Sequence, residues 1–247
     1  MTLTSSPVAF HDRHDAGQKL GQRLIQFGEE RPIVLGLARG GIPVAAEVAR
    51  ALDAPLDALI VRKLGVPGHP EFAFGAIGEE NARTINDDVV TSLRLSKAAI
   101  DTVERREYEE LLRRVTRYRN GRDALNLEGR NVIIVDDGLA TGASARVGVE
   151  VARARGARRV LVAVPVGSTQ AVEELLQVAD DVIALFIPPR FQAVGQWYET
   201  FDQTSDAEVV RLLNAQRLLR RSVVSPTVHV PGARVRGGVR VALESWG

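Results

Sequence analysis

Four apolar residues, Val132 to Val135, lead into two adjacent carboxylates, Asp136 and Asp137, and then into Gly138, Leu139, Ala140, Thr141, Gly142, Ala143 and Ser144. A short apolar run of this kind reads as a buried strand. It delivers both acids to the strand's carboxyl end, where open α/β sheets bind ligands. The mostly small or hydroxylic residues that follow run into a helical pattern. Backbone N–H groups and the hydroxyls of Thr141 and Ser144 can therefore converge on an anion at the helix N-terminus. An ionised carboxylate only accepts hydrogen bonds, so a neighbouring pair suits the two donors of a vicinal diol. A phosphate beside a diol describes ribose 5-phosphate. The competing reading is a solvated acid pair at a strand end followed by an ordinary turn. No G-x-x-x-x-G-K-[ST] occurs, which excludes a Walker A loop.

A second glycine-rich turn, Gly36 to Ile42, contains Arg39, Gly40 and Gly41. Its small residues permit close backbone approach to a ligand, and Arg39 adds a permanent forked donor suited to phosphate oxygens. The spacing is not the G-x-G-x-x-G of a dinucleotide fold. Arg62 and Lys63 are expected to close the next strand and open the loop LGVPGHPEFAFGA, whose glycines and prolines suit a mobile cover. In that loop His69 and Glu71 are candidates for an acid or base, against a solvent-facing role. Phe191, Trp197, Tyr198 and Phe201 form an aromatic cluster that either stacks on a planar base or makes a small core for its own loop.

These residues need a scaffold, and the pattern of short β-rich runs alternating with helical stretches predicts one: an α/β fold with a parallel sheet flanked by helices. The expected strands are Ile33 to Leu37, Ala58 to Val61, Val132 to Val135, Val160 to Val164 and Val182 to Phe186. Pro43 opens a helix carrying Val44, Val48 and Leu52 on one face, and Val147, Val151 and Ala154 mark another that Gly156 ends. Ala16, Leu20, Leu24 and Phe27 predict an amphipathic helix before the sheet. An insertion at about 62–125 includes a helix from about Ser96, in which Glu109 with Arg113 and Glu110 with Arg114 form i,i+4 pairs on a solvated face. A hood-like aromatic segment spans about 187–204, and a short helix covers about Glu208 to Leu219. We assign 1–220 to the main domain and 221–247 to a C-terminal extension. There the alternation of Val228 and Val230 with Val239, Val241 and Leu243 predicts a β-hairpin.

Composition narrows the chemistry further. The chain has 247 residues, 45% of them hydrophobic, which is enough for a packed core. It contains no cysteine, so disulfides, thiolate metal sites and a cysteine nucleophile are excluded. With 32 Lys and Arg against 31 Asp and Glu, the net charge of +1 offers no bulk attraction to nucleic acid or anionic lipid. No secretion signal or spanning stretch is visible, so a cytoplasmic protein without nucleic-acid or membrane partners is expected. Homo-oligomerisation stays open.

The segment VIIVDDGLATGAS resembles the signature of the type I phosphoribosyltransferases, departing from it at Gly138, where the family more often carries an aliphatic residue or serine. The region from Phe10 to about Leu212 is similar to an uncharacterised bacterial branch of that family. The resemblance implies the type I fold and a transferase using 5-phosphoribosyl pyrophosphate with Mg²⁺. It also implies a role for Arg39, Gly40 and Gly41 as the pyrophosphate loop, and catalytic roles for Asp136, Asp137, Arg62 and Lys63. Gly138, Ala140, Thr141, Gly142, Ala143 and Ser144 would hold the ribose phosphate. Phe191, Trp197 and Tyr198 would face the acceptor. The metal would be held mainly by substrate, with water-mediated contacts to Asp136 and Asp137 and no dedicated protein cage. A sensor of the same sugar phosphate, or a hydrolase that uses water as acceptor, remains an alternative.

Overall fold

The computed structural model describes residues 9–223; the C-terminal β-hairpin expected beyond Ser222 lies essentially outside them. Within the described residues, the strands β1 (Ile33–Leu37), β2 (Leu56–Leu59), β6 (Asn131–Val135), β7 (Arg159–Val166) and β8 (Asp181–Phe186) form one parallel sheet in the order β2-β1-β6-β7-β8. Alternate residues of each strand point to opposite faces, and both faces are covered, which is why the strands read as unbroken apolar runs. Val34, Ile133, Val135, Leu161 and Ala163 enter one core with the helices α1 (Arg13–Leu24) and α2 (Gly41–Ala51). Ile33, Leu35, Val132, Ile134, Val160 and Val162 enter the other with α5 (Ala143–Ala154) and α6 (Thr169–Leu175).

The insertion corrects one expectation. The stretch anticipated as a mobile loop is an antiparallel sheet of β3 (Val61–Val66), β4 (His69–Gly78) and β5 (Arg83–Ile85). Gly68, at φ +83°, supplies the left-handed residue that turns β3 into β4. Leu64, Val66, Phe74 and Ile77 are buried, so the hairpin has an inner face of its own. The second parallel strand accordingly ends at Leu59, and Val61 already belongs to the other sheet.

Two helices follow the hairpin. The first, α3 (Asp87–Ser92), was not anticipated, and its N-terminus is capped by the Asn86 side chain. The second, α4 (Lys97–Arg119), starts where expected, with the Ser96 side chain accepting from Ala99 N–H. Its inner face carries Val103, Glu107, Leu111 and Tyr118, spaced at three to four residues per turn. On its outer face the pairing differs from expectation in one contact: Arg113 and Arg114 both bind Glu110. The two guanidinium groups hold the Glu110 carboxyl down at about 2. The last helix among the described residues, α7 (Asp206–Val223), packs against α2 and α4 and continues past residue 220. No helix among the described residues is long and apolar enough to cross a membrane.

Candidate functional site

From β1 the chain passes to β2 on one side and later returns to place β6 on the other, so the order reverses between β1 and β6. In open α/β sheets a crevice forms at such a switch point, outside the carboxyl ends of the strands. Gly36 of β1 pairs with Val135 of β6, so the loops after these strands leave the sheet side by side. They are the two glycine-rich segments singled out from the sequence. Their approach is close enough to require glycine. A β-carbon on Gly40 would lie 2.8 Å from Asp137 Cγ, and one on Gly41 would lie 2.9 Å from Asp136 Cα.

The acid pair follows directly on β6, half-buried at its carboxyl end. Asp137 N–H donates to Asp136 Oδ1 (2.9 Å). Arg13, the first residue of α1, donates to Asp137 Oδ2 through Nε at 2.8 Å and places Nη2 at 2.8 Å from the same oxygen. Tyr198 O–H donates to the Asp137 carbonyl (2.6 Å). Burial, and then the adjacent Asp137 charge, push the Asp136 carboxyl well up, against the opposing pull of Lys63 and Arg13. Burial also raises Asp137, and Arg13 opposes that rise. Arg13 carried no sequence-based assignment.

The loop beyond the acids carries no lysine and ends at the N-terminus of α5. Gly142, at φ +69°, turns the chain into α5, whose first N–H groups at Ala143, Ser144 and Ala145 have no partner inside the helix. Thr141 Oγ1 lies 3.5 Å from Ala143 N. Ala140 and Thr141 are exposed at the loop's crest. The glycine at 138 has a packing cause: a β-carbon there would meet Val194 Cγ1 at 2.6 Å. A cleft of about 620 Å³ extends from Thr141, Gly142 and Arg146 across to Lys63, Phe72 and Glu174.

Of the expected cations, Lys63 lines that cleft and acts electrostatically on Asp136. Arg62 does not join it. Neighbouring residues of a strand face opposite ways, and Arg62 donates to Glu107 of α4 through Nε (2.9 Å). Arg39 turns from its glycine-rich loop toward Asp206 at 3.7 Å, a carboxylate that also binds Tyr118 O–H (2.6 Å) and lies 3.4 Å from Arg117. Trp197 and Tyr198 are 6% and 5% exposed and pack with Phe10, Ala16 and Val166, with Phe191 and Phe201 against them. This is the small core foreseen as the alternative, and it offers no open ring face on Trp197 or Tyr198. Phe72, by contrast, is 64% exposed on the hairpin. His69 lies beside it with ring centroids 6.5 Å apart, while the Glu71 side chain is outside the described residues.

Comparison with known proteins matches residues 10–185 to the phosphoribosyl transferase domain family. A provisionally named phosphoribosyl transferase of Mycobacterium tuberculosis is 55% identical over 205 residues, which is 83% of this chain and 46% of that protein. The chain therefore spans about half the length of the curated relatives it matches. The crystal structure of TT1426 from Thermus thermophilus superposes with a TM-score of 0.72 at 43% identity, covering 84% of this chain and 98% of that one. The family match takes in both glycine-rich loops, the acid pair and Arg13, and on it the chain belongs to the phosphoribosyl transferase domain family.

Proposed function

We propose that the chain is a phosphoribosyltransferase that moves the 5-phosphoribosyl group of 5-phosphoribosyl pyrophosphate to a nitrogen acceptor such as a nucleobase. One observation carries this reading: an acid pair and two glycine-rich loops converge at the switch point, with Gly40 and Gly41 packed on Asp137 and Asp136. In the proposed complex the ribose 5-phosphate lies on Ala140 to Ser144 and its hydroxyls meet the two acids. The Arg39 to Gly41 loop and Lys63 receive the pyrophosphate. The C1–oxygen bond breaks with its electron pair leaving on pyrophosphate, and the acceptor nitrogen forms the new bond and loses its proton. Positive charge grows on the ring as the bond stretches, so a carboxylate fixed beneath it favours the transition state over the ground state.

Magnesium fits this site only in part. Asp136 and Asp137 offer the hard oxygens it prefers, yet two acids are too few for a protein cage, and no larger cluster of His, Cys, Asp or Glu among the described residues adds to them. The ion would enter with the oxygens of its substrate, and when bound it supplies charge neutralisation for the leaving pyrophosphate. Titration calorimetry with 5-phosphoribosyl pyrophosphate, with and without Mg²⁺, tests donor binding, and pyrophosphate release across a panel of bases tests transfer. Asp137→Asn is expected to fold and to lose most turnover; near-normal transfer by that variant refutes the assigned role. Failure to bind the donor at millimolar concentration refutes the whole reading.

A further inference from the structure

Asp137 is held from two distant parts of the chain. Its side chain is bound by Arg13 of α1 and its carbonyl by Tyr198 of the segment that precedes α7. The guanidinium group that does the holding is itself fixed on its remaining sides. Its carbon lies 3.8 Å from the centre of the Phe201 ring, and Nη1 donates to the Asp202 carbonyl (2.6 Å). Arg13 and Asp137 are only 12% and 15% exposed. An arginine recruited only to neutralise an acid needs none of this support, because charge acts without a set orientation. A planar fork locked by a ring, a carbonyl and a carboxylate sets a direction as well as a charge.

The oxygen that Arg13 takes is also the one against Gly40, where a β-carbon would find no room. Asp137 Oδ2 is thus committed to the protein, and the rest of the carboxylate is shared with its own N–H and the Asp136 carboxyl, the partner a substrate hydroxyl would join or displace. We propose that Arg13 is a positioning residue for the donor: by fixing the Asp137 carboxylate in one orientation it aligns this acid with one hydroxyl of the ribose diol, and it thereby sets the preference of the site for ribose over 2-deoxyribose. The other groups that face the pair are Lys63 from β3, the Gly40 and Gly41 backbone, and the Tyr198 hydroxyl. None of these side chains binds the Asp137 carboxylate in place of Arg13. Arg39, from the same loop as Gly40, is turned to Asp206 and does not substitute for it either.

The inference rests on the donor reading above, and its test separates the two. Affinities for ribose 5-phosphate, 2-deoxyribose 5-phosphate and inorganic phosphate are measured by calorimetry for the unaltered chain, R13Q and R13K, with circular dichroism and thermal melting as controls. The unaltered chain is expected to favour ribose 5-phosphate over the deoxy sugar by about tenfold or more, the worth of one hydrogen bond to a charged acceptor. In R13Q that ratio collapses toward one while inorganic phosphate still binds at the Ala140 to Ser144 loop. R13K, which keeps the charge but not the fork, falls between them. A ratio unchanged in R13Q overturns the role of Arg13 and leaves the donor reading standing. Equal losses for all three ligands in R13Q reduce Arg13 to a structural ion pair and also overturn it. If R13Q does not fold, R13K decides alone, since an undiminished ratio there overturns the proposal. Failure of the unaltered chain to bind ribose 5-phosphate overturns both readings together.

Discussion

Substituting Gly40 by alanine tests whether the two glycine-rich loops meet as described. The new β-carbon would stand 2.8 Å from Asp137 Cγ, whereas carbon atoms rest about 3.5–4.0 Å apart. One partner must therefore move by about 0.7 Å or more. Asp137 cannot retreat without lengthening its 2.8 Å contacts to Arg13, and hydrogen bonds between charged groups are worth about 1.5–3 kcal/mol. Donor affinity is expected to fall by about tenfold to a hundredfold, since about 1.4 kcal/mol corresponds to each factor of ten. The backbone should tolerate the change. Gly40 has φ −59° and ψ −34°, which alanine adopts freely, and the stiffer unfolded chain returns about 0.4–1 kcal/mol. Net destabilisation should thus stay near 1–2 kcal/mol, a drop of several degrees in Tm for a domain of this size. Calorimetry with 5-phosphoribosyl pyrophosphate and a thermal melt measure both quantities. Unaltered donor affinity in a folded G40A would refute the packing of the Arg39 loop on Asp137.

Lys63→Ala should weaken binding of inorganic pyrophosphate in a titration, whereas Arg62→Ala should leave it within about twofold, because only the former side chain faces the cleft. Equal losses would show that the hairpin does not sort the two cations. Arg119→Met removes the guanidinium shared by the buried acids Asp57 and Glu79 and should cost about 3–5 kcal/mol in urea unfolding; a cost under about 1 kcal/mol would refute the network. Glu110→Gln addresses pH. The carboxyl falls from 4.5 to about 2 on folding, so its contribution is present above pH 4.5 and is lost as pH falls toward 2. The variant's small deficit in Tm, limited by solvent screening, should accordingly vanish toward pH 2, and a deficit that persists there contradicts the pairing.

Most of the parallel sheet was legible because burial on both faces writes itself as unbroken apolar runs, and the caps at Ser96 and Gly156 mark helix ends by local chemistry. The second strand was misplaced for a nonlocal reason. Residues 56–66 read LDALIVRKLGV, a nearly continuous β-rich stretch that folds into two strands of different sheets. Nothing in the run itself says where one set of partners ends and another begins, since strand preference reports packing against neighbours. Pro67 and Gly68 signal a turn, but the glycines and prolines around them also fit a loop, and only the pairing of β3 with β4 separates the two. The helix α3 is only 6 residues long, too short for periodicity to show it.

In the site, residue type was easier to read than direction. Arg62 and Lys63 look equivalent as neighbours in sequence, and strand geometry alone sends one of them to Glu107 and the other to the cleft. The aromatic residues at 191–201 were visible as a group, but their burial depends on Phe10 and Ala16, which lie far away in sequence. Arg13 is the opposite case, a residue whose local setting should have drawn notice. It occupies the first position of α1, where the helix dipole disfavours a cation. A charge placed against its local preference must be compensated elsewhere, and such conflicts between local rule and global structure concentrate at functional sites. Here the compensation is Asp137, 124 residues further along the chain. The same helix end that repels the guanidinium also keeps it from settling back on its own helix, so the carboxylate at the switch point gains a fixed neighbour from a segment that shows no chemistry of its own.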